Sequence, residues 1–355
     1  MAQKITRFML IALVLSLAFG KLLSFKLYSL PLYLPDFIIA VILLFNFRAL
    51  FTSCFRLSLG LRLFLLGLIF GWLQALWLYP TSQLFFPFLY TLRLLLYFLF
   101  FAWVRRSKTR LAPFYFYLSG VTAVVIALAQ YILIPDMRLL QYLGWDDHLN
   151  RVVLPFFDPA FSSAYFSLFA LYALAKKNYY LVLFALPAIL LSYARATWIS
   201  LLLVLGRFMS RSVLVSILLI FGLILIILPK GDFGEGTNLL RTYSISARLN
   251  HDLDLLRSIN YHAILGVGYN TLSLHISPSS VYSYHANSAN NSYLTLLLTT
   301  GILGSIGVFM LIRDLFRFYP HRTSLSFILL MSFFNNALLY PAIIIWLTLL
   351  VAEKK

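Results

Sequence analysis

The chain has 355 residues, of which 62% are apolar, 17% aromatic and only 11% charged, with a formal net charge of +17 at pH 7. So apolar a composition excludes a soluble globular domain and a disordered tail. The positive charge does not indicate nucleic acid as a partner. Most of it lies in loops between apolar runs, where it suits anionic lipid headgroups, and no basic helix or aromatic RNA-binding motif accompanies it.

In chain order, apolar runs near 7–24, 32–50, 60–79, 85–104, 113–134, 155–175, 179–193, 197–209, 212–229, 291–312, 324–338 and 341–352 predict about twelve membrane-spanning segments. Alternation at every second residue, the mark of a barrel strand, is absent, and lipid leaves no partner for open backbone groups, so the runs are read as helices. The expected fold is an all-α, polytopic membrane protein with one integral domain over 1–355. The first run, from Phe8, has no small-residue cleavage site and is read as a retained helix. The single cysteine, Cys54, excludes an intramolecular disulfide and a Cys-based zinc site.

Basic residues set the expected orientation. With Lys4 and Arg7 in the cytoplasm, the inner loops carry Arg48, Arg56 and Arg62; Arg105, Arg106, Lys108 and Arg110; Lys176 and Lys177; Arg207 and Arg211; Arg313, Arg317 and Arg322; and Lys354 and Lys355. Such an excess favours the inner side, which places both termini on the cytoplasmic side of the membrane. Lys21 and Lys26 fall on the outer side and run against the pattern; their long side chains are expected to snorkel to the interface.

The longest polar stretch, 230–290, is then external. It opens with GDFGEG (231–236) and continues into SARLNHDLDLLRSI (246–259), where Leu249, Leu253, Leu256 and Ile259 share one helical face. Arg248 and Asp252 stand four apart on the other side, close enough to pair. GVGYN (266–270) is expected to end that helix, and SYHANSANNSYL (283–294) leads into the next span. A helix of this kind could simply rest on the membrane surface. In a second outer loop, Asp146, Asp147 and His148 offer hard metal ligands, but no further acidic residues complete a site, so a solvated loop and no metal are expected.

Two arginines stand where charge is costly. Arg195, in SYARATW (192–198), separates two short apolar runs, and Arg93 falls near the middle of its span. Guanidinium presents a planar fork of donors suited to phosphate oxygens and keeps its charge. Carboxylates are almost absent from the spans, so the phosphate of a lipid substrate is the expected counter-charge for Arg93.

Three patches, RVVLPFFDPAFSSAYFSLFALYAL (151–174), SYARATW, and the stretch from SARLNHD through GVGYN to NNSYLTLLLTTGILG, resemble the O-antigen ligase and O-antigen polymerase superfamily. The resemblance covers roughly 150–312. It implies a membrane glycosyltransferase that moves a glycan from an undecaprenyl-pyrophosphate carrier to a hydroxyl on a glycan, lipid or protein acceptor, without a cofactor. It also implies that Arg195 and Arg248 bind the pyrophosphate, with Arg93 as a further candidate. Arg151, Asp158, Asn290 and Asn291 are the expected contacts to acceptor or glycan. Where the family has His-Asn ahead of Tyr-Leu, this chain has Asn290-Asn291, and His285 is the histidine that can substitute as catalytic base. The competing reading is a transporter of lipid-linked glycans. Transporters commonly have related halves with the longest loop between them or inside, whereas here the long loop follows about the ninth run and is external.

Overall fold

The computed structural model describes residues 2–27, 30–47, 58–208, 210–229, 236–239, 242–275 and 288–353. Helix makes up 75% and strand 3%, which agrees with the all-α reading. Helices α1 (Ala2–Ser16) and α2 (Leu34–Phe45) are linked through a small antiparallel hairpin, β1 (Ser24–Leu27) and β2 (Leu30–Tyr33), in the register Ser24↔Tyr33 to Leu27↔Leu30. There follow α3 (Leu59–Leu78), α4 (Thr81–Arg106), α5 (Pro113–Leu133), α6 (Pro159–Ala175), α7 (Tyr179–Leu190) and α8 (Arg195–Phe208). The chain continues with α9 (Arg211–Ile227), α10 (Tyr243–Ile259), α11 (Ser292–Phe318), α12 (Arg322–Met331) and α13 (Pro341–Val351).

A helix overlaps each predicted apolar run, but among the described residues four helices, α3, α4, α5 and α11, are long and apolar enough to cross a membrane. The described residues thus hold four candidate membrane spans, as suits a helical membrane protein, and the expected count of twelve does not follow from helix length. A helix of 12 residues such as α2 or α7 rises only about 18 Å, against roughly 30 Å of hydrocarbon.

The chain just after α1 and the first turns of α2 and α13 line, with Lys21, Phe156 and Tyr340, a cavity of about 40 Å³. Asp36, in the first turn of α2, reaches Arg93, which lies about 18 Å along α4 from its start. Irregular backbone at such a depth is tolerated only where protein covers it or a cavity adjoins it. Lys21 sits in this region, and its expected snorkelling is corrected here. It is buried, with Nζ 3.3 Å from the centre of the Trp145 ring and 5.7 Å from that of Tyr340. Its amine thus rests on an aromatic face in a buried site.

Helix α6 is the axis of the core: every residue from Ser162 to Ala173 is buried. A helix apolar on all sides packs on all sides, and Tyr165 and Tyr172 meet Trp346 of α13 at centroid distances of 5.0 and 6.4 Å. Helices α3 and α11 pack backbone to backbone. A Cβ at Gly67 would lie 2.5 Å from the Cα of Gly304, so a larger residue at Gly67 would drive the helices apart.

Helix α11 breaks at Gly301 (φ 68, ψ −173). The break frees the carbonyls of Leu298 and Thr299, which accept hydrogen bonds from Val267 N (2.9 Å) and Gly268 N (3.1 Å). The GVGYN stretch thus does not end the loop helix, as expected from its glycines. That helix ends at Ile259, and Asn260 follows at a positive φ of 48°. Gly266 and Gly268, with φ of 86° and 92°, instead carry the loop backbone into the break in α11.

Candidate functional site

Arg195 is the first residue of α8 and follows a tight turn, Ser192–Ala194, with Tyr193 at φ 51. The turn is fastened from several sides. Ser192 Oγ donates to Ile189 O (2.6 Å), Trp198 Nε1 donates to the same carbonyl (3.0 Å), and Tyr193 Oη bonds Pro229 O. Buried Arg151 donates through Nε and Nη2 to Ser192 O at 3.0 and 2.8 Å, and its side chain packs against Gly236. Arg195 Nη1 donates to Leu239 O at 2.8 Å. Two guanidinium groups therefore flank one turn and the same returning segment, 236–239. A cation on the first residue of a helix adds to the positive end of the helix dipole. That arrangement is unfavourable alone and favourable around an anion.

Arg248, on α10, is exposed and directs Nη1 to Asn335 Oδ1 (2.9 Å) and Phe334 O (3.2 Å). Asn335 O accepts from Ser292 Oγ at the head of α11 (3.2 Å), and Ser292 N donates to Ser332 O (3.0 Å). Thr197, two residues beyond Arg195 in the first turn of α8, touches Met331 Sδ at 3.9 Å. The Arg195 turn and Arg248 thus both approach the C-terminal end of α12. The expected Arg248–Asp252 pair is not formed. Asp252 Oδ1 accepts instead from Asn290 N (2.8 Å) and Nδ2 (3.3 Å). An exposed pair four residues apart contributes only about 0.2–0.5 kcal/mol, whereas a hydrogen bond to a charged group contributes about 1.5–3 kcal/mol. Burial pushes the Asp252 carboxyl above its usual range, against the lowering pull of Asn290.

Asn291 and Asp158 both cap helices. Asn291 Oδ1 accepts from Tyr293 N (2.8 Å) and Leu294 N (3.3 Å) at the start of α11. Asp158 Oδ1 accepts from Ala160 N (2.7 Å) and Phe161 N (3.1 Å) at the start of α6. Their first task is structural, and they fix the helix ends that border the site.

Arg93 is corrected. Its counter-charge is a carboxylate of this chain: Nε donates to Asp36 Oδ2 at 3.0 Å, Nη2 bonds the same oxygen, and Tyr97 Oη holds Oδ1. The pair borders a mostly apolar cleft of about 280 Å³ between the hairpin, α2 and α4. Asp36 stands in the first turn of α2, inside the run 32–50, and is one of the few carboxylates that the apolar runs contain.

His285 and the segment 276–287 around it lie outside the described residues, as do Cys54 and most of GDFGEG. The other loop histidines are engaged. His251 Nε2 faces Ser288 O at 3.3 Å, His262 Nδ1 bonds Gln74 of α3, and His275 Nε2 bonds Tyr79. In the second loop, burial and then the charge of Arg151 push His148 down to about 4, which leaves it neutral. Among the described residues no three of His, Cys, Asp and Glu come together as a metal-ligand set.

Asn335 and Asn336 were missed. Two adjacent amides inside an apolar run were the available signal. Asn336 Oδ1 is buried with no hydrogen-bond partner, next in sequence to the residue that holds Arg248. An unpaired buried acceptor of this kind invites a donor from a ligand or water.

No family model, no curated protein and no solved structure matches this chain.

Proposed function

We propose that the protein is a glycosyltransferase of the O-antigen ligase or polymerase kind, acting on the outer face of a bacterial inner membrane. The observation that carries this reading is that Arg248 and, through Thr197, the helix that Arg195 opens both reach the C-terminal end of α12, with Arg151 buried behind the Arg195 turn. Cationic groups held by a tight turn and a loop helix suit a pyrophosphate that gains charge as it departs. In the reaction the acceptor oxygen forms a bond to the anomeric carbon of the glycan as the bond from that carbon to the pyrophosphate oxygen breaks. The hydroxyl proton passes to a base, for which His285 is proposed, and the carrier leaves as its pyrophosphate. Asn336 Oδ1 offers an acceptor for a glycan hydroxyl. In this reading the twelve apolar runs all lie in the membrane, both termini are cytoplasmic, and the short helices make room for the lipid-linked substrate.

The break in α11 at Gly301 favours a second reading, a transporter of lipid-linked glycans, because discontinuous helices are common around transport sites. One experiment separates the two. Purified protein is incubated with a lipid-pyrophosphate glycan and an acceptor, and free carrier pyrophosphate is measured. Release is expected for a transferase. Movement of intact substrate across vesicles with no release would exclude transfer.

A further inference from the structure

Helix α10 carries more apolar surface than the loop core uses. Leu255 and Ile259 are buried with Val267, Leu272 and Leu298. Ile245, Leu249, Leu253 and Leu256 are 50, 59, 47 and 42% exposed. At about 100° per residue these four fall within one arc of roughly 80°, beside the buried face. Asn250, Asp254 and Arg257 form the opposite, polar side. The sequence alone groups Leu249, Leu253, Leu256 and Ile259 on one face, whereas the fold splits them: Ile259 goes inward and the other three stay outside.

The exposed stripe does not stop at the end of the helix. It continues through Tyr261, Ile264 and Leu265, which are 67, 58 and 50% exposed. The depth of this continuation is fixed by its neighbours. A Cβ on Gly301 would lie 2.4 Å from Ile264 O, and Gly301 is about 13 Å along α11 from Ser292. Gln74, which bonds His262, is about 6 Å inside the end of α3 at Leu78. Both helices are among those long and apolar enough to cross the membrane. Ile302, next to Gly301, and Leu73, next to Gln74, are 49 and 57% exposed on those same helices. The stripe of α10 is thus continuous with exposed apolar surface on two helices long and apolar enough to cross a membrane.

From this continuity we infer that α10 and residues 261–265 are inserted in the membrane leaflet on the loop's own side. The helix lies along the interface, its stripe in the acyl region and Asn250, Asp254 and Arg257 toward water. The partner is the lipid bilayer, and the insertion sets the height of Arg248 above the membrane. The loop is then a re-entrant element of the membrane domain.

The test uses the full-length chain with Cys54→Ser, reconstituted into phosphatidylcholine–phosphatidylglycerol vesicles. Single cysteines at Leu249, Leu253, Ile264, Asn250 and Asp254 carry an environment-sensitive fluorophore. All these positions are exposed, so labelling leaves the core intact. Probes at 249, 253 and 264 are expected to emit to the blue and to be quenched by nitroxide lipids. Position 264 should respond most to a mid-chain nitroxide. Probes at 250 and 254 are expected to be quenched by iodide. Equal iodide quenching at 249 and 250 would overturn the inference. So would protection of 249 and 253 from both quenchers with disulfide crosslinking between copies, which would assign the stripe to a second chain. No transfer activity is read, so the outcome is independent of the proposed reaction.

Discussion

At Arg195 the guanidinium, the helix N-terminus and the buried Arg151 act on one small volume, so the chemistry there depends on charge and on shape. Arg195→Ala is expected to lower the release of carrier pyrophosphate by about 100-fold or more, the scale seen when one stabilising donor is removed from a developing anion. Arg248→Ala should do the same, with membrane insertion unchanged in both. Arg195→Lys keeps the charge and loses the fork, so partial activity at most is expected. Full activity in Arg195→Lys would show that a point charge suffices. For His285, transfer is to be followed against pH in the native chain and in His285→Ala. An imidazole base works only when neutral, so the native rate should fall on the acid side, and this limb should vanish with the side chain. An unchanged profile and rate in His285→Ala would assign deprotonation elsewhere.

The long loop is held on its elements by backbone contacts that require glycine. Gly301→Ala places a Cβ 2.4 Å from Ile264 O at a backbone angle of φ 68. Strain of this kind costs about 1–3 kcal/mol before any clash. A lower melting temperature and faster proteolysis within 260–275 are expected. Gly222 is the control. It lies in α9 with nothing within 4 Å of its added Cβ, so Gly222→Ala should be neutral or stabilise by about 0.5–1 kcal/mol. Equal losses in both variants would mean that the joint at Gly301 has no special role. The same loop shows why a local rule misplaced the GVGYN stretch. The GVGYN glycines read as a helix stop because their left-handed preference is local, while their use against α11 is set by a break more than thirty residues away.

Across the whole molecule, the ends of several helices are tied by one carboxylate. Glu353 accepts from Tyr172 Oη (2.9 Å) and Lys176 Nζ (2.5 Å) of α6 and the adjoining turn, and from His321 Nε2 (2.9 Å) ahead of α12. Burial pushes its pKa up, but the hydrogen bonds from His321, Lys176 and Tyr172 outweigh this and hold it below the usual glutamate value. A carboxylate with a lowered folded pKa contributes stability that is present above the unfolded value and lost as pH falls through the folded one. Thermal unfolding across pH 3–6 should therefore show an acid loss of stability that Glu353→Gln reduces. At pH 7 the variant should be less stable by roughly 1.5–3 kcal/mol. Identical pH curves would remove Glu353 from the account. Orientation is tested separately with a membrane-impermeant thiol reagent on intact cells. Cys54 should be silent and a cysteine replacing Ser279 should react, and the reverse would invert the proposed site with the topology.

Composition and run length by themselves determined a helical membrane protein, because burying so many apolar residues in water is not possible and lipid accepts helices. Hydrophobic phase also marked α10 as amphipathic, and the rarity of charge singled out Arg93, Arg195 and Arg248. The tertiary structure alone decided what each of these meets. Arg93 finds Asp36 fifty-seven positions away, Arg248 leaves Asp252 for Asn335, and Lys21 finds Trp145. It also decided which leucines of α10 turn inward and where α11 breaks to receive the loop. Such pairings join residues far apart in the chain. Their energies depend on burial and geometry that spacing along the sequence does not contain.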